Sequence, residues 1–366
     1  MKPAFHKSIP AHHVIGALDE HSTSLILDVR EPDEYKTWHI QGSINIPLGE
    51  LYSKIDTLPQ DKEILVICAS GNRSSHGCHI LDELGFNVIN VDGGMNAWGN
   101  CYDTAQINVD EITVLQLRRR GKGCLSYIVG SDAGTAFVID PTIHTENYLN
   151  IAEHFNWRIE KIFDTHLHAD HLSGTRLLSY ATNAPIYLNP HDTFNFDYTP
   201  LKDGELFYLS EQTGMSVLAL ETPGHTKGSV IFNIKDKLLF TGDTLFVNGI
   251  GRPDLADKAE EFANNLYDSL HQKLLKFDEE ILILPAHYSE KTVVKLNEPV
   301  SVKLKDLKAS LESLGYSKQD FIDWMVNKTT DRPSNYKDII KLNMGKDDIP
   351  IDLISHIELG PNRCSA

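Results

Sequence analysis

The chain has 366 residues, enough for two or three domains, and its 41% hydrophobic content is ample for packed cores. A formal charge of −17 excludes the basic footprint that nucleic acid or an anionic membrane surface requires. The five cysteines (Cys68, Cys78, Cys101, Cys124 and Cys364) form no framework of tight spacings, no run reaches 18 apolar residues, and the start MKPAFHKSIP is not of signal-peptide type; a reduced, cytoplasmic protein with available thiols is expected.

SLILDVR (24–30) and EILVIC (63–68) are short apolar runs of the kind that form buried parallel strands. SSHGCHILDELGF (74–86) has helical spacing and stops at Gly85, and NVINVDGG (87–94) is a third strand ending in a turn. This alternation predicts an α/β domain over residues 1–100, a parallel sheet with flanking helices. Residues 101–111 are polar and carry no strong pattern, so they are expected to be a linker.

A second domain is expected over 112–298. LSYIVGS and TAFVIDP read as a hairpin turning at SDAG, YLNIAEHFNW as a helix, and IEKIFD as a strand running into THLHADH. SVLALETPGH, SVIFNI, KLLFTGD and EILILPAH are further strands. Strands first antiparallel, then interleaved with helices, suit an αββα sandwich. From 299 to 366 the pattern is a helical extension, with a loop-rich tail, that could cover the active site or form a subunit contact in a homo-oligomer.

Seven residues carry metal-ligating chemistry: His166, His168, Asp170 and His171 in THLHADH, His225 in TPGHTKG, Asp243 in FTGDTLF and His287 in LPAH. Imidazole and carboxylate ligate zinc, iron and manganese. A lone HxH is usually an ordinary loop feature. The full set, in this order and each after a strand, resembles the metallo-β-lactamase superfamily from about residue 112 to 290.

That superfamily hosts several chemistries on one fold. In one reading, similar to glyoxalase II, His166, His168 and His225 hold one zinc, Asp170, His171 and His287 a second, Asp243 bridges, and a hydroxide attacks a thioester. In the other, similar to the glutathione persulfide dioxygenases, a single Fe(II) is held by His166, His225 and Asp243, and the remaining four support them. The segment NGIGRPDL after Asp243, and the later RPSNYKDIIKLNMG and GPNRC segments, resemble the dioxygenases. The resemblance implies that Arg252 stands at the site entrance, where its guanidinium could meet a glutathione carboxylate. Tyr288 departs from the family, which usually places an acidic residue after the last histidine; this puts the orientation of His287 in question.

Cys68 ends a strand and is followed by a short loop and a helix. Backbone N–H groups and the helix dipole there favour a thiolate. A lone cysteine after a strand is usually a small buried hydrophobe. The context LDVREPDEYKTWHIQGSINIP…VICASGNRSS…DGGMNAW, over 25–98, resembles a rhodanese domain. The resemblance implies Cys68 as sulfur carrier, a cradle of Ala69, Ser70, Gly71 and Asn72, Arg73 as loop cation, and Asp28 and Arg30 as braces. Ala69 stands where many rhodaneses have arginine, and Trp38 where they have glycine. Cys78 is either a buried thiol or a resolving partner.

Together the two resemblances imply oxidation of glutathione persulfide by O2 to glutathione and sulfite, coupled to transfer of sulfane sulfur through a Cys68 persulfide, with sulfite or thiosulfate as the other sulfur species. The alternative is a dinuclear zinc thioester hydrolase with a sulfur-binding or regulatory rhodanese module.

Overall fold

The computed structural model describes residues 7–19, 22–210, 215–253, 258–289, 291–328, 335–347, 354–358 and 360. The N-terminal domain has strands β1 (Ser8–Pro10), β2 (Leu25–Asp28), β3 (Ile44–Asn45), β4 (Glu63–Ile67) and β5 (Asn87–Asp92) in one parallel sheet, ordered β1-β5-β4-β2-β3. Helices α1 (Val14–Ala17), α2 (Pro32–Thr37), α3 (Leu51–Lys54), α4 (Asn72–Glu83) and α5 (Gly94–Trp98) flank it. Central strands with helices on both faces have no solvent side, so β4 is apolar and buried throughout after Glu63. Leu65 and Ile67 pack towards α1 and α5, whereas Ile64 and Val66 pack towards α3 and α4.

The second domain stacks two mixed sheets. Strands β6 (Tyr102–Val109), β7 (Ile112–Arg119), β8 (Cys124–Ser131), β9 (Thr135–Ile139), β10 (Arg158–Phe163), β11 (Ile186–Leu188) and β12 (Thr199–Pro200) form the first in sequential order. The second is ordered β13 (Leu206–Ser210), β14 (Met215–Glu221), β15 (Val230–Ile234), β16 (Leu238–Gly242), β19 (Leu282–Pro285), β20 (Val302–Lys303), and a small ribbon pairs β17 (Leu245–Phe246) with β18 (Gly249–Ile250). The inter-sheet core takes alternate residues from both sides, such as Leu125, Tyr127 and Val129 of β8 against Phe232 and Phe240. Helices α6 (Glu146–His154) and α7 (Thr175–Thr182) cover the first sheet. Helices α8 (Ala259–Gln272), α9 (Leu304–Ser310) and α10 (Lys318–Asn327) cover the second, which completes the αββα order.

Residues 102–109, expected as a linker, are the strand β6. It pairs with β7 from Tyr102–Arg119 to Val109–Ile112 without a break. Ala105, Ile107 and Val109 alternate with polar residues, as befits an edge strand with one wet face. The tail expected to be loop-rich contains α11 (Tyr336–Asn343) and α12 (Ile354–Ile357), whose Ile339 and Leu342 pack on Leu172 beside the histidine-rich loop. No helix among the described residues is long and apolar enough to cross a membrane.

The joint between the domains accounts for Trp38. Its indole Nε1–H donates to the Gly121 carbonyl at 2.8 Å, in the β7–β8 turn. The approach there is close: a Cβ on Gly121 would fall 2.4 Å from the Trp98 carbonyl oxygen. The Arg120 N–H donates to the Cys101 carbonyl at 2.9 Å.

Candidate metal centre and sulfur-carrier loop

Four strands deliver the metal-site residues. The loop after β10 carries His166, His168, Asp170 and His171; His225 follows β14, Asp243 follows β16 and His287 follows β19. Gly242 turns in the left-handed region (φ 51°), and a Cβ there would fall 2.6 Å from the Thr165 hydroxyl oxygen. The glycine therefore lets Asp243 and the histidine loop approach each other. Asp192 ties two loops together, accepting from the N–H groups of Leu167 (2.9 Å) and Gly228 (3.0 Å) and from the Thr226 hydroxyl (2.9 Å).

All seven residues are buried, and they divide into distinct groups. His166, His225 and Asp243 form one, their ligand atoms within 4.8 Å of one another. The Asp243 Oδ2 lies 3.7 Å from His166 Nε2 and 3.5 Å from His225 Nε2. The other ring nitrogens are engaged: His166 Nδ1 with the Thr165 hydroxyl at 2.9 Å, and His225 Nδ1 with the Arg252 carbonyl at 2.9 Å. Thr165 in turn donates to Asp140 at 3.0 Å. Burial holds both imidazoles below the usual histidine range, helped at His166 by neighbouring His168. Burial would raise the Asp243 carboxyl, but His287 and His166 outweigh it and hold it low. Neutral imidazoles and an ionised carboxylate are the protonation states a cation needs.

His168 belongs to another group, with Asp140 and Asp164. Its Nε2 stands 3.2 Å from Asp140 and 3.7 Å from Asp164, and those carboxylates hold its pKa well above normal against the opposing effect of burial. The third group joins Asp170, His171 and His287 to Cys124. His287 contacts Asp243 at 2.5 Å and Asp170 at 2.8 Å, which orients it without the acidic neighbour that Tyr288 replaces. Burial would raise the Cys124 thiol, yet His171 and His287 bring it down to about 7. Its Sγ lies 3.6 Å from Asp170.

A metal fits this donor set. His166 Nε2, His225 Nε2, Asp243 Oδ2, His168 Nδ1 and His171 Nε2 are all buried without a hydrogen-bond partner. Those of His166, His225 and Asp243 lie together, and buried polar atoms so gathered are costly unless a cation takes their lone pairs.

Sequence reasoning missed Cys124, Asp140 and Asp164. The last two sit at strand ends in TAFVID and IEKIFD, a position that could have flagged them; Cys124 has no local signal. Arg252, expected at the entrance with its guanidinium facing a substrate, is 2% exposed, and its carbonyl meets His225 Nδ1 at 2.9 Å. Asp254 and Leu255 of NGIGRPDL, and Cys364, lie outside the described residues.

At the other centre, Cys68 follows β4 and is buried. The Gly71 N–H points at its sulfur at 3.1 Å, and the Ser74 hydroxyl stands 3.4 Å away. Burial pushes the thiol up, but Ser74 and the backbone N–H groups of Ser74, Ser70 and Gly71 bring it below the ordinary cysteine value. Gly94 explains the DGG turn: a Cβ there would meet the Cys68 carbonyl oxygen at 2.2 Å, and α5 donates from Met95 to that carbonyl and from Asn96 to that of Ala69. Asn72 opens α4, and Ala69 adds no charge to the loop. Arg73 is committed elsewhere, bidentate to Glu34 of α2 at 2.6 and 2.7 Å. Asp28 and Arg30 pair with each other and hold the Trp38 carbonyl, so they brace the segment leading to the domain joint. Cys78 is a buried thiol pushed up to about 12 by burial, with no disulfide to Cys68.

Residues 11–101 match the rhodanese-like domain and residues 119–287 the metallo-beta-lactamase superfamily. The putative sulfurtransferase YtwF of Bacillus subtilis (strain 168) is 45% identical over 73 residues, 20% of this chain and 71% of that protein. A metallo-beta-lactamase from Staphylococcus aureus subsp. aureus COL superposes with a TM-score of 0.59 at 25% identity, covering 64% of this chain and 73% of the other. ETHE1 from Myxococcus xanthus superposes at 0.55 and 25% identity, covering 67% and 99%. The chain therefore belongs to the rhodanese family in its N-terminal domain, which is joined to a metallo-beta-lactamase domain.

Proposed function

We propose that the protein is an iron-dependent persulfide dioxygenase joined to a sulfurtransferase. The observation that carries this reading is the separate grouping of His166, His225 and Asp243, with the Nε2 of His168 turned to Asp140 and Asp164. Likeness to ETHE1 and to a sulfurtransferase supports chemistry on sulfur compounds.

His166, His225 and Asp243 would hold one Fe(II), which supplies open coordination positions and a redox couple. The protein keeps the two imidazoles neutral and fixes their tautomers through Thr165 and the Arg252 carbonyl, so that each Nε2 presents its lone pair. The overall reaction takes glutathione persulfide, O2 and water to glutathione and sulfite.

In the other domain the Cys68 thiolate attacks the sulfane sulfur of the persulfide; a Cys68 S–S bond forms and glutathione thiolate leaves. Sulfite then takes the outer sulfur, giving thiosulfate and restoring Cys68. The same steps run in reverse when thiosulfate is the donor. Gly71 N–H and Ser74 stabilise the sulfur anion at both stages.

A second reading, two zinc ions and thioester hydrolysis, is favoured by the group Cys124, Asp170, His171 and His287 beside the triad. Oxygen uptake by iron-loaded protein given glutathione persulfide tests the first reading. Uptake with about one iron per chain is expected; turnover of S-lactoylglutathione with about two zinc ions and no uptake would overturn it. Cys68→Ser should abolish sulfur transfer and leave oxygen uptake intact. A change in uptake by a protein with no measurable transfer would make the rhodanese domain a regulatory module instead.

A further inference from the structure

Two side chains from the C-terminal tail bond to backbone groups of the histidine-rich loop, not to its imidazoles or carboxylates. The Asn343 amide Nδ2 donates to the carbonyls of His168 (2.9 Å) and His171 (2.8 Å), and its Oδ1 accepts from the Ser173 N–H at 2.9 Å. One side chain thus satisfies three backbone groups of the loop, at a burial of 7% exposure. Fifteen residues further on, Glu358 accepts from the Leu172 N–H, next to His171.

Glu358 is a buried carboxylate that the chemistry does not use. Its second oxygen takes Arg119 Nη1 at 2.8 Å, and its carbonyl takes Lys122 Nζ at 2.7 Å. Arg119, equally buried, spends its other donors on the rhodanese domain: Nε on the Gly99 carbonyl and Nη2 on the Asn100 side chain, both at 2.7 Å. A buried guanidinium with all three sets of donors occupied is held in one geometry, and removing one partner leaves uncompensated charge. Gly99 and Asn100 follow directly from α5, the helix that packs on the Cys68 loop.

We propose that Asn343 and Glu358 are positioning residues for the metal loop, and that through Arg119 the rhodanese domain is part of that support. The affinity of the centre for its metal then depends on side chains that touch neither metal nor substrate, contributed by the C-terminal tail, by Arg119 and by the rhodanese domain. This rests on the seven-residue cluster holding a metal, but not on which metal or which reaction.

The test measures metal dissociation constants by chelator competition in the full-length protein, with Fe(II) and with Zn(II) separately, together with melting temperatures with and without metal. Glu358→Gln keeps an acceptor for Leu172 and removes the charge; Asn343→Ala removes the three hydrogen bonds; Asn100→Ala removes one of the two rhodanese contacts of Arg119, leaving the Gly99 carbonyl, and with it the Asn100 contact to His144. Glu358→Gln and Asn343→Ala are expected to weaken metal binding about 10- to 100-fold, with a smaller loss for Asn100→Ala and recovery in Asn100→Asp, which restores an acceptor for Arg119. The metal-induced rise in melting temperature should shrink with them, while the alkylation rate of Cys68 stays at the wild-type value. Dissociation constants within twofold of wild type in folded Glu358→Gln and Asn343→Ala would overturn the proposal, as would equal losses of melting temperature with and without metal. A wild-type protein that binds only zinc would sink the dioxygenase reading and leave this comparison intact.

Discussion

Replacing Trp38 with phenylalanine isolates one contact across the domain joint. The indole is 8% exposed, and its N–H is the donor to the Gly121 carbonyl at 2.8 Å. Phenylalanine keeps most of the apolar packing and removes the donor, so the buried carbonyl loses that partner; the expected loss is about 1–3 kcal/mol. Trp38→Gly, the residue usual in rhodaneses, adds the cavity left by a whole ring, about 3–5 kcal/mol. The ring edge also lies against Gly99, where a Cβ would come within 3.1 Å of Trp38 Cη2. Urea unfolding of the full chain measures both variants. A loss for Trp38→Phe below about 0.5 kcal/mol, the range of an ordinary surface substitution, would refute the claim that this bond fastens the domains.

Ser74→Ala should raise the pKa of Cys68, because the hydroxyl is the largest of the influences holding it down. The pH profile of iodoacetamide alkylation should move upwards, and an unmoved profile would leave the backbone N–H groups as sufficient. Because the folded-state pKa is depressed, the thiolate contributes stability that is present above the unfolded-state pKa and lost as pH falls through the folded one; the stability gap between wild type and Ser74→Ala should therefore widen in alkali. Gly130→Ala would place a Cβ 2.1 Å from Trp157, whose ring is stacked on Phe155 with centroids 4.5 Å apart and has little room to withdraw. A destabilisation of about 1–3 kcal/mol or more is expected by denaturation, partly relieved in the double variant with Trp157→Leu. Arg73→Ala breaks a half-exposed ion pair, and the unfolding free energy should change by less than about 1 kcal/mol; a larger loss would show that the Glu34 pair closes the sulfur loop.

Much of the site was legible because its chemistry needs particular residues at strand ends, and strands announce themselves by apolar runs. THLHADH after IEKIFD, His225, Asp243 and His287 were all visible this way, as was Cys68 between EILVIC and a helix. The edge strand β6 was misread because its wet face is polar, so only Ala105, Ile107 and Val109 carried the signal. The contact between Arg252 and His225 left no mark in the sequence, because it is made by a carbonyl, which every residue possesses.

What the amino-acid order determined by itself was the pair of domains, the seven candidate metal ligands and the candidate sulfur carrier, because each rests on local pattern and residue type. Only the tertiary structure decided how those seven divide, since the partner of an imidazole nitrogen is whichever buried carboxylate the packing brings to it: Asp140 and Asp164 for His168, Asp170 for His287. The same holds for Cys124, brought to Asp170 from 46 residues away, and for Glu358, which meets Leu172 across 186 residues and Arg119 across 239. Contacts at such separations leave no periodicity in the chain, because they are made by the closing of sheets and the docking of a tail, not by the repeat of a helix or a strand.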